Sequence, residues 1–400
     1  MGTTFAELAR WATTLAPTDA DRALARTALA DTLAVTLAAE HEPIVAHTEG
    51  MPAALRWAAI GHALDFDDVH LPSTSHVSVV CASATLAAGG GEREFLAAAG
   101  VMARLGSALG WRHYERGWHA TCTAGAPAAA VAAALASGLD ADGVLRAMAL
   151  ALPAAGGLQR AFGTEAKPLQ VGFAADAGVR AARLAAAGAN ADPSALDRWF
   201  ALLGGEHELD LSGPAVPDGL AIKPFPCCYA LQRPIGATRR CGPVPLGKIG
   251  SIEVLVAEST LQPLIHDRPS TGAEGKFSLP YAIAATLVDG FPTPASFTDS
   301  AVARPEIGTL LDRLTVRASP GGKGVLAGAT TVRIGLTDGP PVERTLDIPP
   351  GHPALPLSAA ELTAKITGCV GEDSAAAVAG ADWTSAARIL TRTFPPDSRK

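Results

Sequence analysis

The first half of the chain consists of alanine- and leucine-rich runs with helical spacing, separated by glycines. These runs lie near 5–15, 19–39, 78–88, 92–110, 123–137, 140–152, 170–188 and 193–203. Thr4 with Glu7, and Thr18 with Asp21, have the spacing of capping residues that begin a helix. Because aromatic residues make up only 5% of the chain, these helices must pack closely through alanine. We predict a large all-helical domain here.

A different sequence texture begins after residues 214–217. Short runs in which β-branched residues alternate with polar ones are typical of strands, and two helical stretches interleave with them. The strand-like runs are 249–256, 314–317, 331–336 and 344–348, and the helical stretches are 277–289 and 304–313. This mixture predicts a smaller α+β domain.

The alanine-rich pattern returns after residues 349–356, where Ser358 and Glu361 form a third capping pair. A chain of 400 residues is long enough for two or more domains. We therefore predict a mainly α protein with an inserted α+β lid domain. The helical domain would comprise 1–221 and 355–400, and the lid 222–354.

Charge and hydropathy argue against several classes of protein. No uncharged apolar run reaches the roughly 18 residues that a membrane span needs. The net charge is -7 and the basic residues are scattered, which argues against a nucleic-acid surface. Six cysteines without a Cys-x-x-Cys spacing are interpreted as reduced thiols. Residues 1–4 lack a basic start and an apolar region, so we expect a cytoplasmic protein.

The densest polar segment is 61–70, followed by His76. Asp65, Asp67 and Asp68 would repel one another, so at least one carboxyl pKa should rise unless cations or hydrogen-bond donors intervene. If the segment is helical, Asp65 and Asp68 share a face, and a loop at 72–75 could return His76 toward them. The alternative is a loop whose aspartates cap helices.

Lysine is scarce: the chain has seven lysines, and arginine carries most of the positive charge. Three lysines stand in unusual segments: Lys167 before a proline, Lys223 in Lys-Pro-Phe-Pro-Cys-Cys-Tyr, and Lys276 in Glu-Gly-Lys-Phe-Ser. A compact ammonium group in a fixed position suits a carboxylate substrate. The alternative is that these are ordinary surface lysines.

Two further side chains could bind substrate or exchange a proton. His119 stands at the predicted start of a helix, where free backbone N–H groups attract an anion. Tyr281, one of three tyrosines, could donate a proton. The alternatives are a packed histidine and a buried tyrosine whose hydroxyl bonds to backbone.

Metal binding is a second interpretation of the acidic segment. Asp65, Asp67, Asp68, His70 and His76 are possible ligands, and paired aspartates on a helical scaffold fit a magnesium diphosphate site. It ranks second because the sequence has no second acidic cluster. The cysteine spacing does not fit an iron–sulfur cluster, and no phosphate-binding glycine motif follows a strand. We expect neither a metal nor an organic cofactor.

Together these motifs resemble the MmgE/PrpD family, which includes 2-methylcitrate dehydratase, cis-aconitate decarboxylase and iminodisuccinate epimerase. The matching segments, in chain order, are 62–68, 117–119, 167–169, 223–228 and 275–278. The resemblance implies a helical domain with an α+β lid, a homodimer, and a metal-free pocket between the domains. The residues that it implies for this pocket are Asp65, His76, His119, Lys167, Lys223 and Tyr281, to which we add Asp68 and Lys276 as candidate substrate-binding residues.

Several positions depart from the family pattern, and three of them lose a functional group. Val69 stands where threonine is common, and Gln170 and Gln232 stand where histidine is common. Each change removes a hydroxyl or a titratable group, so the resemblance does not determine which carboxylate is the substrate. The segment 267–278, with Tyr229, is most similar to the epimerase branch.

We predict a cofactor-independent lyase, a dehydratase or decarboxylase, for a small di- or tricarboxylate. His76 assisted by Asp65 would be the acid/base pair, because a poorly acidic C–H proton must be removed. Lys167, Lys223 and His119 would neutralise the developing charge, and Tyr281 could act on the other face. The alternatives are an epimerase for an iminodisuccinate-like substrate, a magnesium-dependent diphosphate enzyme and a noncatalytic family member.

Overall fold

The computed structural model describes residues 4–205 and 208–396. The part before residue 205 is helical. Its helices are α1 (Phe5–Thr14), α2 (Asp19–Ala38), α3 (Ile44–His47), α4 (Ala53–His62), α5 (Val77–Ala87), α6 (Glu92–Glu115), α7 (Ala120–Ala136), α8 (Ala141–Ala151), α9 (Ala166–Ala186) and α10 (Ser194–Leu202).

The predicted helix starts are confirmed. Thr4 and Thr18 accept hydrogen bonds from the backbone N–H of Glu7 and Asp21, whose carboxylates bond back to the cap residues. The predicted end of a helix near residue 110 corresponds to a kink in α6, where Gly110 has φ 67° and ψ -174°. Only glycine adopts that backbone conformation readily.

Alanine forms the centre of the helical part. Helix α7 is buried along almost its whole length and packs against α5, α6, α8 and α9. At the crossing of α7 and α9, a Cβ atom on Gly178 would stand 2.4 Å from the Cβ of Ala129. A larger residue at 178 would force the helices apart, so the small side chains permit this close packing.

The next part combines helices with one four-stranded sheet. Its elements are α11 (Tyr229–Arg240), β1 (Ile249–Ala257), α12 (Gly272–Gly275), α13 (Leu279–Asp289), α14 (Asp299–Val302), α15 (Pro305–Leu311), β2 (Leu314–Ser319), β3 (Thr330–Leu336) and β4 (Val342–Leu346). The sheet order is β2-β1-β3-β4, with β1 parallel to β2 and the other pairs antiparallel. Ile252 of β1 pairs with Leu314 and Ile334.

The sheet buries one face against helices. Ile252, Val254 and Val256 of β1 are buried, and Leu255 between them is exposed, the alternation expected of a half-covered sheet. Helix α11 packs against β3 and β4 and also against α13. This layer carries Lys223 and Lys276 on the segments that lead into α11 and α13.

The last helices return to the first part of the chain. They are α16 (Ala359–Val370), α17 (Glu372–Ala379) and α18 (Trp383–Thr393). All three contact α2, and Ser358 and Glu361 form the predicted capping box. Lys365 of α16 lies 2.6 Å from the buried Asp31 carboxylate and also donates to the Phe66 carbonyl oxygen at 2.9 Å.

The prediction of a mainly helical protein with a smaller α+β part is confirmed. The domain limits 1–221, 222–354 and 355–400 stay predictions, and residues 1–3 and 397–400 lie outside the described residues. In the described ranges, the helices are too short or too polar to cross a bilayer.

Candidate active site

The segment between α4 and α5 is a series of turns. Helix α4 ends at His62, and Asp65 takes a left-handed backbone conformation with φ 51°. The segment is therefore not helical at Asp65, and Asp65 and Asp68 do not share a helix face. The loop at 72–75 does return His76, which is the N-cap residue of α5, toward the aspartates. Aspartate adopts this left-handed conformation more readily than most non-glycine residues.

Asp65 is the centre of a buried charge cluster. Its Oδ1 atom accepts hydrogen bonds from Lys223 Nζ at 2.8 Å and Lys167 Nζ at 3.2 Å. Lys223 Nζ also donates to the Asp65 carbonyl oxygen at 2.7 Å. His76 Nε2 lies 3.6 Å from Asp65 Oδ1, beyond hydrogen-bond distance. One aspartate thus organises two ammonium groups, with an imidazole close by.

Asp67 faces the two histidines of the segment. Its Oδ2 atom is 2.8 Å from His62 Nδ1 and 3.1 Å from His76 Nδ1. The His62 contact has hydrogen-bond geometry, whereas the His76 contact is short but off-angle. The other ring nitrogen of His62, Nε2, lies 2.6 Å from Lys167 Nζ. The histidine pair and the lysine–aspartate cluster are therefore continuous.

The three carboxyl groups titrate differently because their neighbours differ. Burial opposes ionisation of Asp65, but Lys167 and Lys223 lower its pKa below the ordinary value of 3.8. His62 and His76 hold the pKa of Asp67 well below that value against the same burial. Burial raises the pKa of Asp68 to about 7, and the charges of Asp31 and Asp67 act in the same direction as a smaller cause. One carboxyl pKa therefore rises, but mainly through burial and not through the repulsion on which the prediction rested.

Asp68 is turned away from the cluster. Its Oδ1 atom accepts a hydrogen bond from the Ser78 backbone N–H at 3.1 Å, in the first turn of α5. The helix-capping interpretation therefore describes Asp68, whose raised pKa also makes it the carboxyl of the three that most readily holds a proton. Asp65 and Asp67 form the ionised cluster that faces the lysines and histidines.

His76 is a neutral imidazole at physiological pH. Burial and the charges of Lys223 and His62 lower its pKa to about 3, although Asp67 acts in the opposite direction. The ring of His62 lies edge-on to that of His76, with 4.5 Å between centroids. Burial also lowers the pKa of His62. Both rings are therefore in the neutral form in the free protein at physiological pH.

A cavity of about 340 Å³ opens onto this cluster. Its buried lining residues, here called the inner wall, include His62, Asp65, Lys167 and Lys276, and its more exposed acidic lining residues, here called the mouth, are Glu42, Glu165 and Asp299. Lys276 Nζ donates to the Ala63 carbonyl oxygen at 3.0 Å, and burial lowers its pKa. The volume lies in the range that holds a small ligand.

Predicted residues that do not line the cavity support those that do. Lys223 is fully buried against Asp65, and His119 stacks on His62 with 5.9 Å between ring centroids. Gln170 donates to His119 Nδ1 at 2.7 Å. Gln232 donates to the Phe225 carbonyl oxygen at 3.0 Å and so braces the segment after Lys223. Both glutamine departures therefore have structural roles, and the third departure, Val69, is buried and pairs by backbone with Ala221.

The structure does not bring Tyr281 to the cavity lining. Its hydroxyl donates to the Ser296 carbonyl oxygen, and burial raises its pKa to about 12. This is the backbone-bonded tyrosine considered as the alternative. Lys167, by contrast, lies beside the stacked rings of Phe162 and Phe277, 5.3 Å from each centroid, which helps to fix its ammonium group at the inner wall.

The metal interpretation can be tested against the donor atoms. His62, Asp65, Asp67 and His76 offer ligand atoms within 4.8 Å of one another. However, Lys223 and Lys167 already direct ammonium groups at Asp65 Oδ1, and Lys167 also at His62 Nε2. A divalent cation would have to displace these charges, so the donor set favours lysine as the resident cation.

The sequence interpretation assigned no catalytic or substrate-binding role to His62 or Asp67, and considered Asp67 only as a possible metal ligand. Both stand in the dense polar segment, but their contacts depend on the turn at Asp65, which sequence spacing does not specify. The acidic mouth was missed as well, because Glu42, Glu165 and Asp299 are far apart in sequence and the cavity brings them together.

The fold and this cluster define a family. The MmgE/PrpD N-terminal domain matches residues 46–204, and the MmgE/PrpD C-terminal domain matches residues 225–379. The chain therefore belongs to the MmgE/PrpD family, as its motifs predicted.

Two relatives carry a named activity. A cis-aconitate decarboxylase of Aspergillus terreus (strain NIH 2624 / FGSC A1156) is 28% identical over 348 residues, covering 75% of this chain and 70% of the relative. Another cis-aconitate decarboxylase of Aspergillus terreus is 27% identical over 348 residues, with the same coverage.

Proposed function

We propose that the chain is a lyase that moves a proton at the carbon next to a carboxylate in a small di- or tricarboxylate. The observation that carries the proposal is the convergence of Lys167, Lys276, Asp65 and His62 on one cavity. His76 does not line this cavity but lies directly behind it, 3.6 Å from Asp65 Oδ1 and edge-on to the His62 ring. The named activity of the two relatives supports a carboxylate substrate and a lyase reaction.

In this proposal, a substrate carboxylate binds between Lys167 and Lys276. Their positive charges stabilise the negative charge that spreads onto that carboxylate when the neighbouring carbon loses its proton or its carbon dioxide. Lys276 donates to one backbone carbonyl, which leaves ammonium protons for the substrate. Elimination of water and decarboxylation both pass through this charge distribution.

Asp65 and His76 would exchange the proton in series. Asp65 lines the cavity and its Oδ2 atom has no hydrogen-bond partner among the described residues, while His76 Nε2 stands behind its Oδ1 atom. The proton would pass from substrate carbon to the carboxylate and then to the imidazole. A bound carboxylate that draws Lys167 away from Asp65 would raise the pKa of Asp65 and make it a better base.

Lys276→Met is expected to raise KM by about tenfold or more with a smaller change in kcat, because the lost ammonium binds the substrate carboxylate in the ground state as well. Steady-state kinetics measure both constants. Lys323→Met removes an exposed lysine from the same α+β part and should leave both unchanged. An unaltered KM for the Lys276 variant would remove this residue from the carboxylate site.

The function is tested by incubating the protein in heavy water with a panel of di- and tricarboxylates that includes cis-aconitate, followed by proton NMR. Exchange or loss of a C–H signal is expected for at least one compound, and the product identifies the reaction. Binding by calorimetry without exchange across the panel would contradict catalysis and favour a noncatalytic member. Activity removed by EDTA and restored by magnesium would contradict metal-independent chemistry.

The acidic mouth favours a second candidate, an epimerase of an amino- or iminodicarboxylate. Glu42, Glu165 and Asp299 face the same cavity as the lysines and would suit a substrate with a protonated nitrogen. The same NMR experiment with an iminodisuccinate-like compound separates the two: epimerisation exchanges the proton and returns an isomer of unchanged composition.

We also propose a cytoplasmic homodimer. The free thiols of all six cysteines support a reducing compartment. Phe173 and Leu184 of α9, each about half exposed, offer apolar surface to a second copy. Light scattering measures the mass, and a monomer at micromolar concentration would contradict the dimer.

A further inference from the structure

Asp67 contacts two imidazole rings with one carboxylate. It is fully buried, and its Oδ2 atom lies 2.8 Å from His62 Nδ1 and 3.1 Å from His76 Nδ1. An ionised carboxylate only accepts hydrogen bonds, so a ring nitrogen that bonds to it must carry the proton. Each ring would then have Nδ1 protonated and Nε2 free. The off-angle His76 contact needs a turn of the ring, as is common for catalytic hydrogen bonds before substrate binds.

The other ring nitrogen of His62 independently supports the same tautomer. Lys167 Nζ lies 2.6 Å from His62 Nε2, and an ammonium group has no lone pair to accept with. Nε2 must therefore be the acceptor, and Nδ1 must hold the proton. His119 provides the contrast, because its Nδ1 atom accepts from Gln170 and its proton belongs on Nε2.

We propose that Asp67 is a positioning residue shared by both halves of the site. It fixes the tautomer of His76, which leaves Nε2 free to take the proton, and it fixes the tautomer of His62, which holds Lys167 at the cavity wall. The catalytic consequence rests on the proposed function, whereas the tautomers do not.

The surroundings of Asp67 keep it ionised. The charged and titratable groups that act on the Asp67–histidine unit are His62 and His76, the cations Lys167 and Lys223, and the carboxylates Asp65, Asp31 and Asp68. The histidine contacts hold the pKa of Asp67 well below its usual range. Asp67 itself does not line the cavity, whereas His62 does. A substrate that contacts His62 would therefore not touch Asp67.

Asp67→Asn isolates this role because it keeps size and burial but adds amide protons. The amide can donate to an imidazole, and that ring must then move its proton to Nε2. The corresponding exchange beside a catalytic histidine elsewhere lowers kcat by about 10⁴-fold through the wrong tautomer. We expect a fall of about 10²-fold or more in kcat, together with a higher KM from a displaced Lys167.

The decisive measurement is NMR of the full-length protein with ¹⁵N-labelled histidine, with signals assigned through His62→Gln and His76→Gln. We expect protonated Nδ1 and unprotonated Nε2 in both rings of the wild type. In Asp67→Asn, at least one ring should have Nε2 protonated. Asp21→Asn is the matched control, since Asp21 is a buried carboxylate that bonds to backbone N–H groups of Thr18 and Ala215.

The inference is wrong if His62 or His76 of the wild type carries its proton on Nε2, or if Asp67→Asn leaves both tautomers unchanged. The wild-type spectrum decides the matter even if the variant does not fold. Correct tautomers with no active substrate would contradict the proposed function alone. Wrong tautomers in an enzyme that turns over carboxylates would contradict the role of Asp67 alone.

Discussion

His76→Gln is expected to lower kcat by about 10²- to 10⁴-fold, the usual cost of losing a general base. The fold should survive, because the side chain of His76 makes no capping hydrogen bond to α5. Steady-state kinetics with the substrate identified by NMR, and circular dichroism of the same sample, measure the two expectations. His352→Gln removes a histidine that lies outside the cavity lining and should retain full activity.

The protonation state of His76 provides a second measurement on the same residue. Its pKa of about 3 reflects burial and the nearby Lys223 and His62, against the attraction of Asp67. In an NMR titration of the free enzyme, the ring should remain neutral through the physiological range. Titration near 6.5 would contradict the lowered pKa of His76, and near-normal turnover by the glutamine variant would contradict its role in proton transfer.

Lys223→Met is expected to lower the free energy of unfolding by about 3 kcal/mol at neutral pH. Removing one partner of a buried ion pair typically costs about 3–5 kcal/mol, and Lys167 remains beside Asp65 to offset part of this loss. Activity should fall as well, because the carboxylate of Asp65 loses the donor that also holds its backbone carbonyl.

The pH dependence of that difference follows from the two pKa shifts. The pKa of Asp65 is lowered, so its contribution is present above the ordinary value of 3.8 and is lost as pH falls. The pKa of Lys223 is raised, so its contribution is present below 10.5 and is lost as pH rises through the folded-state pKa. The difference in free energy of unfolding between wild type and Lys223→Met should therefore be largest at neutral pH and should decrease below about pH 3.8.

Urea unfolding monitored by circular dichroism at several pH values measures this gap. Lys248→Met provides the comparison, because Lys248 pairs with Asp338 at 3.1 Å on the surface, where both side chains are more than half exposed. Exposed pairs contribute little. Equal stability of the Lys223 and Lys248 variants would mean that the buried cluster does not hold the two parts of the chain together.

The sequence was sufficient for the fold class, because helical and strand-like periodicities occupy separate stretches of the chain. Helix α11 was missed. Its sequence contains Pro234 and follows the proline-rich segment after Lys223, both of which normally argue against a helix. Burial against β3, β4 and α13 stabilises it in spite of these local preferences.

The candidate site was predictable as a set of residue types, but not as a geometry. Scarcity of lysine singled out Lys167, Lys223 and Lys276, and all three are buried. The separate roles of Asp65 and Asp68 depend on one left-handed residue and on a contact with α5. Tertiary packing determines both the conformation of Asp65 and the contact of Asp68, and the periodicity of the sequence contains no information about either.

The Lys365 contact with the Phe66 carbonyl oxygen has a consequence for biosynthesis. The brace for the turn between Asp65 and Asp67 comes from a helix about 300 residues further along. A growing polypeptide can assemble the alanine-rich bundle while the ribosome is still translating, but the turn at Asp65 gains this support only after residue 365 has emerged. The turn should therefore reach its final stability well after the bundle has formed.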